Sequence, residues 1–197
     1  MSYAPRDQQL HTYADYLTWP DDIRYELING HAYLIPPTGT LNHQTISFEV
    51  AHQLGNALEG KPCRILMAPI DVMLNASSAS ENHTIDTVVQ PDVLIVCDPS
   101  KLNTRGVRGA PDWILEVISP SSASHDQIVK LALYEKAGVA EYWLAHPTDR
   151  VLTIYRLDGG SYGRPEICEL RGLTAVKTLA GVSIDWEPIV ARLLPPT

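Results

Sequence analysis

The sequence predicts an α/β fold in which a mixed β-sheet is flanked by helices. Two apolar runs, 91–96 and 113–118, are apolar on both faces, which is typical of central strands covered on both sides. Segments with helical periodicity or helix-start signals precede and follow these runs, at 42–59 and after 124. The resulting order is helix, hairpin, helix, several strands, helix and strands, which favours one domain over 1–197 with its core at roughly 12–190.

The N-terminal segment predicts a short helix and a hairpin that extend this core. The helix is expected near 12–17. Two extended runs, 25–28 and 31–35, are joined by Asn29 and Gly30, and both residues tolerate the positive φ of a tight hairpin turn.

Periodicity and chain breakers define the first long helix and the strands after it. Ile46, Val50 and Leu54 share one face of a helix over 42–59, which the glycine and proline at 60 and 62 end. Strands are expected on either side of Pro69, at 64–68 and 70–74, and the polar stretch 75–87 predicts a loop.

A second main helix is expected after the central strands. Ser124 and Gln127 fit a capping box at its start, and Gly138 stops it. The remaining predicted elements are strands at 142–145 and 152–156, a turn at 158–160 and a short helix near 189–194.

The charge distribution restricts the classes of function. Fifteen basic and 23 acidic residues give a net charge of −8, all of it in residues 1–100. This balance argues against a nonspecific nucleic-acid coat, but not against a nuclease, because metal-binding carboxylates themselves add negative charge. Lys101, Arg105 and Arg108 form either a local basic patch or a solvated loop.

The sequence lacks a membrane-span signal, a secretory signal and cysteines paired in a CxxC motif. No apolar run approaches the roughly 18–20 residues of a membrane span, and the N-terminus lacks a secretory pattern, so a cytoplasmic protein is expected. The three cysteines, Cys63, Cys97 and Cys168, form no CxxC pair, which predicts neither a zinc site nor a disulfide framework. Cys97 ends an apolar run and is expected in the core.

Acidic residues in the two apolar strands are the candidates for chemistry. Glu116 shares a strand face with two isoleucines, and a buried carboxylate there needs a cation, a metal or a hydrogen-bond cluster to compensate it. Asp92 begins the other central strand, so the two acids are the minimum for a divalent-metal site with oxygen ligands. Lys130, early in the following helix, is the candidate for stabilising phosphoryl charge, or for a purely structural ion pair with Glu116.

Several motifs in order give the chain a recognisable pattern. They are Tyr-Glu-Leu-Ile-Asn-Gly at 25–30, Asn-His-Gln at 42–44, Val-Gln-Pro-Asp-Val-Leu-Ile-Val at 89–96, Glu-Val-Ile-Ser-Pro-Ser-Ser at 116–122, Lys130 with Leu133-Tyr134, and Gly-Val-Ala-Glu-Tyr-Trp at 138–143. This pattern resembles the Uma-type restriction endonucleases, a family similar to the PD-(D/E)XK nuclease superfamily, from about residue 12 to about 190. The resemblance implies a restriction-endonuclease-like core and a metal-dependent endonuclease acting on DNA.

The resemblance also implies roles for individual residues. Asp92 and Glu116 would be ligands of Mg²⁺, with Mn²⁺ as a substitute, and Glu26 would add an acid from the N-terminal segment, directly or through water. Where the superfamily pattern has lysine, two residues after Glu116, this chain has Ile118, and Lys130 would supply the ammonium from the next helix. A homodimer is the expectation by analogy, because many such nucleases pair two identical sites.

Two further residues have both a functional and a structural interpretation. His43 could contact phosphate or metal, or could simply belong to the start of a helix. Ser121, with the neighbouring serines 119 and 122, could bind phosphate or form a turn. The alternative to an enzyme is an inactive nuclease-fold module that binds nucleic acid or a protein partner.

Overall fold

The computed structural model describes residues 7–20, 22–35, 40–119 and 122–195. The helices are α1 (Tyr13–Tyr16), α2 (Leu41–Ala57), α3 (Leu131–Ala137) and α4 (Glu187–Val190). The strands are β1 (Tyr25–Ile28), β2 (His31–Leu34), β3 (Arg64–Met67), β4 (Asp71–Met73), β5 (Val88–Val89), β6 (Val93–Val96), β7 (Gly106–Arg108), β8 (Trp113–Val117), β9 (Glu141–His146), β10 (Val151–Asp158), β11 (Ser161–Tyr162), β12 (Glu166–Glu169), β13 (Leu173–Ala175) and β14 (Ser183–Asp185).

The mixed sheet expected from the sequence is present. Its strands follow the order β11-β10-β9-β8-β6-β3, with β12 beside β10. β8 and β9 run parallel, and the other pairs of this sheet are antiparallel. β6 and β8 are buried along their whole length, as strands covered on both faces must be.

Alternation along the central strands divides the core into two layers. Val93, Ile95 and Trp113 pack with the apolar stripe of α2. Leu94 and Ile114 point the other way, toward α3 and the second sheet. Because Glu116 is two residues beyond Ile114, its carboxylate lies on the α3 side of the sheet.

A second sheet contains five strands, in the order β2-β1-β5-β4-β7. The β1–β2 hairpin forms as expected, with Asn29 at φ 49° and Gly30 at φ 81° in its turn. The strands on either side of Pro69 also form, but they belong to different sheets: β3 joins the first and β4 the second. Within the described part of the chain, no helix is long and apolar enough to cross a membrane.

Two expectations from the sequence are wrong. Ser124 is not a helix cap: its backbone is already helical, its side chain makes no capping hydrogen bond, and the helix starts earlier, with the amide of Asp126 donating to the carbonyl of Ser122. Cys63 and Cys97 are joined in a disulfide. The pairing of Arg64 with Val96 places these cysteines opposite each other, which a separation of 34 residues does not reveal.

Candidate active site

Asp92 and Glu116 meet at one edge of the mixed sheet, where β6 begins and β8 ends. The antiparallel register pairs Val93 with Leu115, so the next pair in register is Asp92 with Glu116. The backbone N of Asp92 lies 3.4 Å from Oε2 of Glu116. The pairing of two central strands therefore brings these carboxyl groups together.

The Asp92 carboxylate is held by the next strand and by α2. Its Oδ2 accepts from the amide of Val117 at 2.8 Å and from Nε2 of His43 at 3.0 Å. His43 lies in the first turn of α2, where its amide donates to Oγ1 of Thr40. Burial lowers the pKa of His43, but the hydrogen bond and charge of Asp92 outweigh it and raise the pKa overall. The other oxygen of Asp92, Oδ1, accepts no hydrogen bond from the residues that the structure describes.

Lys130 is the cation at the centre of the site. Its Nζ lies 2.9 Å from Oε1 of Glu116 and 2.9 Å from Oε1 of Glu26. The hydroxyl of Tyr134 donates to the same oxygen of Glu116 at 2.8 Å. The two carboxylates raise the pKa of Lys130 well above its ordinary value, although burial acts to lower it.

A π-helical turn, His125–Lys130, directs these side chains inward before α3 begins. His125, Asp126 and Lys130 are all buried. The wider turn changes the phase of the helix, and such turns are frequent at functional sites. Sequence reasoning selected Lys130 but missed His125 and Asp126, although the spacing of Asp126 and Lys130 by four residues places them on one helix face.

Glu26 is buried in β1 with both oxygens occupied. Oε1 accepts from the backbone amide of Gln90 at 2.8 Å as well as from Lys130, and Oε2 contacts Nε2 of His125 at 3.0 Å. Burial raises the pKa of Glu26, but Lys130 and these hydrogen bonds outweigh it and lower the pKa to about 2. Glu26 therefore acts in this structure as an anchor for Lys130 and His125.

Acidic side chains outnumber the ammonium group of Lys130 at the site. Lys130 also lies 3.5 Å from Oδ1 of Asp126, a buried atom without a hydrogen-bond partner. Burial raises the pKa of Glu116 well above its ordinary value. The nearby Asp126, Asp92 and Glu26 add to this effect, while Lys130 opposes it. Burial and the neighbouring acids therefore favour the uncharged form of Glu116, and a bound cation would act against that effect.

This donor set fits a divalent cation of the magnesium type. Among the described residues, no three His, Cys, Asp or Glu side chains are arranged to enclose a metal. Magnesium, however, is usually bound through one or two carboxylates, water and substrate phosphate, without a full protein cage. Oδ1 of Asp92 and Oε2 of Glu116 match that requirement.

Comparison with known proteins shows what the chain is related to. The model of a family described as "Uma2: Putative restriction endonuclease" matches residues 13–187. The chain belongs to the Uma2 family. It is also 27% identical over 144 residues to "Uncharacterized protein slr1290" from Synechocystis sp., covering 72% of this chain and 71% of that protein.

The fold of this Uma2 chain resembles a solved structure. The match is a protein from Anabaena variabilis described as a "putative nuclease belonging to DUF820". The TM-score is 0.71 at 19% identity, and the match covers 93% of this chain and 99% of the other. The two proteins therefore share a mixed α/β fold.

Ser121 and the three basic residues of the 101–108 segment are the other candidates from the sequence of this Uma2 protein. Ser121 lies outside the described residues, and its neighbours Ser119 and Ser122 hydrogen-bond each other in a turn. Lys101 donates to the carbonyl of Ala110, and Arg108 donates to Ser80 and Asn82. These two cations tie loops together, whereas Arg105 is exposed.

Proposed function

We propose that this protein is a metal-dependent nuclease that hydrolyses phosphodiester bonds in DNA. The observation that carries the proposal is the placement of the Lys130 ammonium at 2.9 Å from Glu116, whose carboxylate adjoins Asp92. Two adjacent carboxylates with one lysine form a set of groups suited to phosphoryl chemistry.

Asp92 and Glu116 would hold Mg²⁺, or Mn²⁺ in its place. When bound, such a cation supplies Lewis acidity toward phosphate oxygens and neutralises developing charge. His43 is a positioning residue, because it fixes one oxygen of Asp92 and leaves the other open.

Lys130 contributes through its three N–H donors. Two of them serve Glu26 and Glu116, and Oδ1 of Asp126 lies 3.5 Å from the same nitrogen. In this proposal an oxygen of the scissile phosphate takes the third donor. The oxygen of a water molecule forms a new bond to phosphorus as the bond to the leaving oxygen breaks; one proton of the water ends on the leaving oxygen and the other stays on the phosphate. Lys130 stabilises the extra negative charge on the phosphoryl oxygens during this step.

The test is cleavage of supercoiled and single-stranded DNA with Mg²⁺ or Mn²⁺ against EDTA. Glu116→Gln keeps the shape of the side chain and should reduce metal-dependent cleavage by about 100-fold or more. Glu169→Gln is the matched control, since Glu169 is exposed on β12 and should leave cleavage unchanged. Equal cleavage by wild type and Glu116→Gln would refute the assignment.

One observation favours a second candidate, an inactive module with the nuclease fold. Lys130 is buried between two carboxylates, and Ile118 packs against the core where the superfamily pattern has lysine. Calorimetric titration with Mn²⁺ separates the candidates, because binding heat is expected only if Asp92 and Glu116 hold metal. Light scattering tests the further proposal that the nuclease is a homodimer, which would align two sites on two DNA strands.

A further inference from the structure

A cavity of about 340 Å³ lies beside the candidate active site. This volume falls in the roughly 300–1,000 Å³ range of small-molecule sites. Its wall contains three aromatic side chains, Tyr16, Trp19 and Tyr25, and two cations, Arg24 and Arg105. Trp19 packs 5.4 Å from Tyr16 and 5.2 Å from Tyr25, measured between ring centroids, so the aromatic wall is continuous.

Two wall segments connect this cavity directly to Asp92. The side chain of Gln90 lines the cavity, and its backbone amide donates to Glu26. Asp92 follows two residues later, about 7 Å along an extended chain. On the other side, Pro69 lines the cavity and the adjacent amide of Ala68 donates to the carbonyl of Asp92 at 3.1 Å. Residues that line the cavity are therefore direct neighbours of Asp92, along the chain and through a backbone hydrogen bond.

The polar groups of the wall leave positive charge available. The Asp71 carboxylate accepts from the hydroxyls of Tyr13 and Tyr16 and from Nε2 of Gln90. Arg24 donates through Nε to Oε1 of Gln90 at 2.8 Å. Its terminal nitrogens have no hydrogen-bond partner in the described part of the chain, and Arg105 is exposed at the rim.

We propose that this cavity binds an unpaired nucleobase of the DNA substrate, stacked on the aromatic wall, while Arg24 and Arg105 contact the flanking phosphates. Aromatic faces with arginines are the means by which proteins bind single-stranded nucleic acid, since every base has a π-face. The proposal rests on the proposed nuclease function and specifies its substrate as single-stranded or locally unpaired DNA.

The tryptophan fluorescence of the protein provides a binding signal that does not depend on cleavage. Trp113, Trp143 and Trp186 are fully buried, whereas Trp19 is partly exposed at the cavity. Titrating the Glu116→Gln variant with a short oligothymidylate should quench Trp19. An abasic oligomer of the same length has the same phosphates without bases and should quench little. Equal quenching by both oligomers, or none by either, would overturn the proposal.

Variants test the cation and the aromatic wall separately, in the same Glu116→Gln background. Arg105→Ala should weaken oligothymidylate binding, measured by anisotropy of a labelled oligomer, by about fivefold or more. Arg164→Ala removes an equal charge from an exposed loop and should change binding less than about twofold. Trp19→Phe retains a ring for packing and should bind the oligomer but lose the quenching signal. Unchanged binding by Arg105→Ala would count against the proposal.

The two proposals fail in different ways. Metal-dependent cleavage by the wild type without quenching of Trp19 would leave the nuclease proposal intact and remove the base-binding cavity. Base-dependent quenching without cleavage under any metal condition would support the cavity and overturn the nuclease assignment.

Discussion

Nζ of Lys130 lies 2.9 Å from Oε1 of Glu116, although the two residues are 14 positions apart and belong to a helix and a strand. The π-helical turn His125–Lys130, which precedes α3, places Lys130 beside the carboxylate of Glu116 in β8. The ammonium therefore reaches Glu116 from the helical segment that follows the strand, while Ile118, two residues after Glu116, is partly buried against the core. Because this contact joins two buried side chains, we expect substitutions at Lys130 and Glu116 to have coupled effects on stability.

Removing the Lys130 charge should destabilise the protein strongly. Lys130→Met leaves the buried carboxylates of Glu26 and Glu116 without their shared cation, which should cost about 3–5 kcal/mol of unfolding free energy. Adding Glu116→Gln to Lys130→Met should recover about 1–3 kcal/mol, because the two side chains are coupled. Urea unfolding measures both. Lys177→Met, at an exposed position, should stay within about 0.5 kcal/mol of wild type, and simple additivity of the two buried substitutions would contradict the coupling.

The low pKa of Glu26 makes its contribution to stability pH-dependent. Its pKa falls from an ordinary 4.5 to about 2 in the folded protein, so the ionised form is favoured by folding. The contribution is present above pH 4.5, is on the order of 3 kcal/mol, and is lost as pH falls toward 2. Urea unfolding of wild type and Glu26→Gln across this range should show the variant less stable at neutral pH, with the gap narrowing in acid. A gap that is constant with pH would show that ionisation of Glu26 is not the cause.

Divalent metal should stabilise the folded protein through Asp92. At Mn²⁺ concentrations about 100 times the dissociation constant, the free energy of unfolding should rise by about 2.7 kcal/mol. Asp92→Asn should abolish most of this increase, because it weakens a proposed ligand without changing side-chain size. Asp158→Asn, in an exposed position at the end of β10, should retain it. Urea unfolding with and without Mn²⁺ measures the difference, and equal stabilisation of both variants would exclude Asp92 as a ligand.

Two glycines should respond in opposite ways to alanine. A Cβ at Gly106 would overlap the backbone carbonyl of Asp71, where β7 pairs with β4, so Gly106→Ala should cost about 2 kcal/mol or more. Gly55 lies exposed in α2 with nothing near the position of a Cβ, so Gly55→Ala should stabilise by about 0.5–1 kcal/mol. Thermal unfolding distinguishes the two, and a neutral Gly106→Ala would mean that β4 and β7 separate easily.

The local elements of this fold were predictable because their signals are short in range. The Asn29–Gly30 turn, the apolar face of α2 and the buried runs of β6 and β8 are readable from neighbouring residues. The start of the second main helix was wrong because Ser124, a good capping residue by type, lies inside a helix that begins earlier.

The sequence by itself determined a mixed α/β protein with acids in its central strands, because alternation and turn chemistry act over a few residues. Only the tertiary structure decided which distant groups meet: the Cys63–Cys97 disulfide, the hydrogen bond of His43 to Asp92, and the contact of Glu26 with His125. These contacts depend on strand register and on the phase of a π-helical turn, which are set by packing of the whole core. No local pattern encodes them.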